Sequence, residues 1–447
     1  MLMNTPSMVT NLCKLLNDNG YQAYVVGGCV RDTFLNLQPK DWDITTNATP
    51  LQMKEVFKAY RVIETGMQHG TLTVHVDGEN YEVTTYRTDG VYSDNRHPDS
   101  VTFTTSLEED LARRDFTVNA MAYDPLTHAL VDDYNGVHAI ENRILECVGD
   151  ANQRFQEDAL RMMRAVRFAC QKDFNIDLDT LHAIEDNAKL ILNVSAERVK
   201  DELDKILMSD NAVAGMDSLY NYGLMNYVLP ELMPMIDCQQ NNPNHTTDVW
   251  RHTMDALEAS IDADMDLLVR WAVLLHDSGK PSTKVVGEDG FDHFYGHPMK
   301  SKELALSVMN RLKFDTASRD TIAMLVEYHD SVLAETKASV KRFMNKGLDF
   351  ERWVNVKYSD IYGHSNETRQ AKLDNMDAVY RLYTEIKNYK EPFSVKDLAI
   401  NGNDVMTTLN IEPSRKVGQI LTALLDMVVE SPELNNREVL LNIIMRS

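Results

Sequence analysis

The sequence predicts an α+β protein. An N-terminal α/β head with a small mixed sheet (residues 1–145) precedes an extended all-α neck, body and tail. Strand and helix signals alternate up to about residue 145, and beyond it strand signals nearly vanish while apolar residues recur at helical spacing. The chain's 447 residues, 43% apolar and 25% charged, suit a globular protein of two to four domains. We divide the helical part into a neck and body (146–240), a helical domain (241–385) and a C-terminal tail (386–447).

Residues 6–18 read as an amphipathic helix and YQAYVV (21–26) as a strand. GGCVRDTFLN then opens a helix, and DWDITTN is a short strand closed by turn residues. TLTVHVDGENYEVTTYR holds two β-rich runs joined at Asp77-Gly78-Glu79-Asn80, a hairpin signal. Residues 88–100 are rich in Gly, Pro, Asn and Asp, as a mobile loop is, with Arg96 and His97 as candidate ligand contacts. A helix over 106–112, the RRDFTVNAMAYDP segment and a turn at Tyr134-Asn135-Gly136 complete the head. In the helical part, Leu160, Met163, Val166 and Ala169 form one apolar stripe, and SAERVKDELDKIL starts from a Ser cap. Residues 337–357 carry six basic and two acidic side chains and read as a solvated helix face.

The balance of 45 basic against 68 acidic residues, a net charge of -23, argues against a generic nucleic-acid binder but leaves room for a locally basic groove. Cys13, Cys29, Cys147, Cys170 and Cys238 are widely spaced with no CxxC pair, which fits reduced thiols in a cytoplasm. No run approaches the roughly 20 apolar residues of a membrane span, and the N-terminus lacks the pattern of an export signal.

Asp41 and Asp43 flank Trp42 on a predicted strand. A two-residue period turns both carboxylates to one side, where they can share divalent cations. Two carboxylate-held Mg²⁺ ions serve nucleotidyl transfer by activating a hydroxyl and steadying phosphoryl charge. Just upstream, Gly27-Gly28 ends a strand and starts a helix, with Arg31 one turn on; backbone and guanidinium together suit a phosphate. A tight turn at the glycines, with Arg31 paired to Asp32 or Asp41, remains the alternative.

GGCVRDTFLNLQPKDWDI, RRDFTVNAMAYD, EDALRMMRAVRF and SAERVKDEL, in that order, resemble the motif series of class II tRNA nucleotidyltransferases. These are the CCA-adding enzymes, with bacterial poly(A) polymerases as close relatives, and the resemblance is dense over residues 20–205. It implies Mg²⁺ at Asp41 and Asp43, triphosphate contacts from Gly27, Gly28 and Arg31, and ribose selection at Arg113-Arg114-Asp115. A third acidic ligand falls on Glu82 or Asp115. Asp158 and Arg161, three apart on a helix, imply base recognition, because a carboxylate and a guanidinium imitate a Watson–Crick edge. Arg161, Arg164 and Arg167 form a basic ridge that the apolar stripe leaves free for the nucleotide. The full-length loop at 88–100 goes with addition of CCA rather than CC.

A second constellation lies in the helical part: His252, the doublet His276-Asp277 in WAVLLHDSGKP, and Asp360. With His297 and His329 it resembles the HD family of metal-dependent phosphohydrolases. Such ligands suit Mn, Fe, Ni, Co or Zn, and a metal-bound water there can attack a phosphoester. The resemblance implies a phosphomonoesterase or 2′,3′-cyclic phosphodiesterase side activity.

Taken together, the sequence implies template-independent addition of CCA to tRNA 3′ ends from CTP and ATP. The rivals are a CC-adding enzyme, a poly(A) polymerase, an HD phosphohydrolase with a non-catalytic head, and a protein that only binds tRNA.

Overall fold

The structure, a computed structural model, describes residues 3–90, 101–242 and 246–446. The chain divides into two compact units, Met1–Pro230 and Glu231–Ser447. Arg96 and His97 lie outside the described residues.

In the first unit, helix α1 (Ser7–Asp18) buries Val9, Leu12, Cys13 and Leu16 at helical spacing. Strand β1 (Ala23–Val26) and helix α2 (Gly28–Phe34) follow, then β2 (Asp43–Thr46), α3 (Pro50–Val56) and β3 (Arg61–Ile63). The predicted hairpin is β4 (Thr71–Val76) and β5 (Glu79–Thr85), turning at Asp77 and Gly78, both with positive φ. A ribbon of β6 (Arg87–Asp89) and β7 (Val101–Phe103) leads to α4 (Leu107–Ala112), β8 (Ala122–Tyr123) and β9 (Leu130–Val131). The sheet has the order β3-β4-β5-β2-β1-β8-β9 and is mixed: β2 runs parallel to β5, and the other pairs are antiparallel. That parallel pairing sets Asp43 opposite Glu82, 39 residues away in sequence.

Helices α5 (Gly136–Glu141), α6 (Ala151–Glu157), α7 (Leu160–Lys172), α8 (Leu178–Asn187) and α9 (Ala196–Leu207) continue the unit, with β10 (Ile144–Leu145) paired in parallel to β11 (Asn175–Ile176). The expected stripe of α7 is buried at Leu160, Met163 and Val166, and Met162, Ala165 and Phe168 are buried as well. Helices α10 (Ala212–Asn221) and α11 (Met225–Val228) close the unit.

The second unit is helical apart from one hairpin. Its elements are α12 (Val249–Asp262), α13 (Leu267–Leu275), α14 (Lys280–Thr283), β12 (Lys284–Val286), β13 (Asp292–Phe294), α15 (His297–Arg311), α16 (Thr316–Tyr328), α17 (Lys337–Met344), α18 (Phe350–Tyr362) and α19 (Asn366–Asn388). Asp266 caps α13, accepting hydrogen bonds from the Leu268 and Val269 amides, and every residue from Val269 to Leu275 is buried. The tail helices α20 (Gly402–Leu409), α21 (Arg415–Glu430) and α22 (Arg437–Arg446) share a core around Leu424, Val428 and Leu440.

The basic segment 337–357 is not the solvated face that its charge suggested. Lys341 is fully buried against the Glu391 carboxylate at 2.8 Å, Lys357 is buried, and Phe343 and Trp353 belong to the core. Glu391 comes from fifty residues later, so no local pattern reveals the pairing. Among the described residues, no helix is long and apolar enough to cross a membrane.

Candidate active sites

In the first unit, Asp43 begins β2, and Asp41 stands two residues before the strand rather than within it. Asp43 is exposed to solvent. Crowding by protein atoms nevertheless pushes its carboxyl up to about 6, with the Glu82 and Asp41 carboxylates adding to the rise and Arg114 opposing it. Glu82 and Asp41 thus stand near enough to act on the Asp43 charge, and carboxylate oxygens are what a hard divalent cation takes. Glu82 therefore fits the third acidic position. Asp115 does not: it is 8% exposed, and its carboxylate accepts hydrogen bonds from Arg164 (2.9 and 2.6 Å), Asn119 (3.0 Å) and the Phe116 amide (2.9 Å).

The wall beside the acids is glycine and arginine. Gly27 has φ +77, and a Cβ there would lie 3.2 Å from Arg114 Nη1 and 4.0 Å from Asp43 Oδ2, so only glycine leaves this space open. Arg114 reaches Asp110 Oδ2 at 3.3 Å, and its buried Nε lacks a hydrogen-bond partner, a donor left over for a ligand. Arg31 is buried; it pairs with Asp32 at 2.8 Å and donates to Asn119 Oδ1 at 2.6 Å. The pairing with Asp32 considered for Arg31 is thus present, and its Nη2 lies 3.5 Å from where a Gly28 Cβ would be.

The EDALR segment departs from expectation. Asp158 and Arg161 do not share a helix face: α6 ends at Asp158, whose φ of -132° and ψ of 103° break the helix, and α7 starts at Leu160. Asp158 caps the new helix, accepting from the Leu160 amide at 3.0 Å, and pairs with Arg198 at 2.9 Å. Arg161 is 9% exposed and held by Glu157 at 2.7 Å. Nor is the arginine ridge free for ligand, since Arg164 pairs with Asp115 and Arg167 with Glu202, each at 2.6 Å. Arg31, Arg164 and Arg167 surround the Phe168 ring at 4.9, 5.4 and 4.3 Å. The stripe left these arginines off the core, but acids from elsewhere in the unit take them up.

In the second unit all six residues singled out converge, and five of them sit at or near helix ends. His276 and Asp277 follow α13, His297 opens α15, His329 ends α16, and Asp360 lies in the last turn of α18; His252 lies within α12. Each of the four histidines has Nδ1 against a backbone carbonyl: His252 on Gly363 (2.9 Å), His276 on Val273 (2.6 Å), His297 on Phe294 (2.9 Å) and His329 on Val326 (2.7 Å). A carbonyl only accepts, so each Nδ1 donates its proton to it and each Nε2 is turned to the centre; the Asp277 and Asp360 carboxylates beside His276 push that ring up to about 10 despite its burial. Those nitrogens crowd together, His297 to His329 at 3.2 Å and His252 to His276 at 3.4 Å. Nitrogens this close share either a proton or a bound cation.

Asp277 Oδ1 and Oδ2 lie 3.4 and 3.2 Å from His297 and His276, and Asp360 Oδ1 lies 3.1 Å from His252. Burial would raise both carboxyls, yet His276 and Lys280 around Asp277, and His364 and His252 around Asp360, hold them well below the usual range. Among the described residues, trios of ligand atoms within 4.8 Å of one another occur only here.

A seventh side chain, His364, was missed. It stacks on His252 at 5.3 Å, lies 3.4 Å from Asp360 Oδ1, and takes a 2.6 Å hydrogen bond from Lys372 on Nδ1. With Nδ1 accepting, its Nε2–H faces Asp360, so His364 orients a ligand rather than serving as one. Its spacing of four from Asp360 was the available signal. Gly363 lets the rings approach: a Cβ there would be 2.7 Å from His252 Nδ1. A cavity of about 600 Å³ opens on this centre, lined in part by Lys280, Phe294, Tyr295 and Lys372.

Residues 23–146 match the family model described as Poly A polymerase head domain, 173–236 that of a probable RNA and SrmB-binding site of polymerase A, and 298–444 that of tRNA nucleotidyltransferase domain 2, putative. The CCA-adding enzyme of Lactiplantibacillus plantarum is 34% identical over 426 residues, spanning 95% of this chain and 92% of that protein. The chain belongs to the CCA-adding enzyme family. The CCA-adding enzyme of Ligilactobacillus salivarius is 31% identical over 432 residues, covering 95% and 93% of the two chains. The crystal structure of the Bacillus stearothermophilus CCA-adding enzyme in complex with CTP superposes with a TM-score of 0.73 at 29% identity, covering 98% of this chain and 96% of that one.

Proposed function

We propose that the first unit builds CCA on tRNA 3′ ends from CTP and ATP without a nucleic-acid template, by nucleotidyl transfer at Asp41, Asp43 and Glu82. The observation that carries this reading is Glu82 set opposite Asp43 in the sheet, with Asp41 adding to the same negative charge, beside a glycine-lined wall with a spare Arg114 donor. Magnesium suits the all-oxygen set and, when bound, supplies charge on the phosphoryl oxygens and acidifies the attacking 3′-hydroxyl. Arg114 and Arg31 bind and orient the triphosphate, and the bare backbone at Gly27 and Gly28 leaves room for its oxygens. Asp158 and Arg161, one on each side of the helix break, offer an acceptor and a donor to the base edge, with Arg198 and Glu157 fixing them. Arg164, Arg167 and Asp115 act behind them by bracing Phe168 and Asn119. Labelled CTP and ATP supplied to a tRNA lacking its CCA end test the reading, with Asp43→Ala expected to abolish incorporation.

A second reading concerns the other unit. The four imidazoles turned to one centre with Asp277 and Asp360 favour a site for two transition-metal ions that hydrolyses phosphate esters, 2′,3′-cyclic phosphates included. Release of phosphate, or opening of a cyclic phosphate, should require Mn, Fe, Ni, Co or Zn and vanish in His276→Ala. Absence of turnover with every one of these metals would refute it.

A further inference from the structure

A smaller chamber of about 250 Å³ adjoins the histidine–carboxylate cavity, and His364, Lys372 and Asp330 line both. It lies between α18 and α19, which contribute Lys357 and Ile361 from one side and Ala371, Lys372 and Asn375 from the other. Lys357, Asp360 and Ile361 lie three and four apart on α18, so the helix face that carries Asp360 to the centre also carries Lys357 to the chamber, and His364 follows just beyond the helix.

Lys357 is 7% exposed and has neither a carboxylate nor a hydrogen-bonding partner among the described residues. The other buried lysines of this unit are paired: Lys280 with Asp277 at 2.6 Å and Gln240 at 2.7 Å, and Lys341 with Glu391 at 2.8 Å. With its stem buried and no anion beside it, the Lys357 ammonium is left to the chamber. Here it faces a space shared with a second lysine, Lys372, whose ammonium rests on a neutral ring nitrogen. Asp330 is the one acid lining the chamber, and it is exposed.

We propose that this chamber is a second phosphate pocket, so that the ligand of the unit is an ester carrying two phosphates, one at the centre and its neighbour between Lys357 and Lys372. This rests on the phosphoester reading of the centre. Two sources supply such a ligand, a free nucleoside bisphosphate or an RNA end whose terminal phosphate is preceded by an internucleotide one.

The test is calorimetric binding to the full chain in chelator, where nothing is hydrolysed. The probes are adenosine 3′-monophosphate, adenosine 3′,5′-bisphosphate and a dinucleotide ending in a 3′-phosphate. Wild type should bind at least one of the two-phosphate probes about tenfold or more tighter than the monophosphate. Lys357→Met should shrink that gap to about twofold and Lys357→Arg should keep it, with CTP incorporation unchanged in both variants as the check on folding. A tighter dinucleotide identifies an RNA end and a tighter bisphosphate a free nucleotide; either upholds the pocket. No gap in wild type, or a gap that survives Lys357→Met, overturns it. Because binding is read in chelator and hydrolysis with metal, the two failures are told apart: no gap here overturns the pocket alone, whereas absent hydrolysis overturns the reading on which it rests.

Discussion

Replacing Asp115 by asparagine probes the network that joins Arg164 on α7 to Arg31 on α2. The wild-type carboxylate accepts four hydrogen bonds, two of them from Arg164, while Asn119 passes the connection on to Arg31 at 2.6 Å. Asparagine keeps the shape, removes the charge and turns one acceptor into a donor that faces donors. Breaking a buried ion pair from one side costs about 3–5 kcal/mol. The Arg164 side chain is 34% exposed, so water recovers part of this, and we expect a loss of about 2–3 kcal/mol. For a unit of this size that is roughly 5–10 °C in Tm.

Burial would raise the Asp115 carboxyl, but Arg164 and Asn119 outweigh it and hold the group far below the usual range. A carboxyl depressed on folding stabilises the protein above its unfolded pKa, and that stability drains away as pH falls. Urea unfolding should therefore give a constant difference between wild type and variant from pH 7 down to about 4.5. Below about pH 4 the difference should narrow by roughly 1.4 kcal/mol per pH unit. Release of Asn119 should also loosen Arg31, raising KM for CTP and ATP several-fold while kcat stays within about twofold. A loss under about 1 kcal/mol, or a difference indifferent to pH below 4, would refute the reasoning.

Glu82→Gln should cut nucleotide incorporation by about 100-fold or more without lowering stability, because Glu82 repels Asp43 in the free protein; incorporation at wild-type rate would remove Glu82 from the site. Gly363→Ala places a methyl group 2.7 Å from His252 Nδ1 and should lower the transition-metal content measured by atomic absorption while leaving CTP incorporation within about twofold. Titrating Mn²⁺ or Zn²⁺ into chelated protein should stabilise the second unit by about 2.7 kcal/mol at a hundredfold excess over Kd, and calorimetry of His329→Ala should show that gain lost.

What could be read from the sequence was local in origin. Asp41 and Asp43 are one residue apart, the glycines lie just upstream, and the hairpin is marked by its own Asp-Gly turn. Glu82 stayed ambiguous because only the pairing of β2 with β5, across 39 residues, brings it to Asp43. The helix break at Asp158 could have been seen, since Asp ahead of an apolar helical run is a cap signal; the helical spacing of the following arginines masked it. Their pairing with Asp115 and Glu202 could not, because each acid arrives from another element. The histidine centre was readable residue by residue, but what unifies it, an Nδ1–H on a carbonyl in four separate rings, depends on packing among helices. His364, Lys357 and Lys372 carried no motif of their own.

Supplying a tRNA that lacks its CCA end with CTP alone, ATP alone and both together measures the central claim most directly. The account predicts two added nucleotides with CTP, none with ATP alone, three with both, and none under any condition with Asp43→Ala. A long tract from ATP alone, a stop after two nucleotides with both present, or incorporation by the Asp43→Ala protein would contradict it.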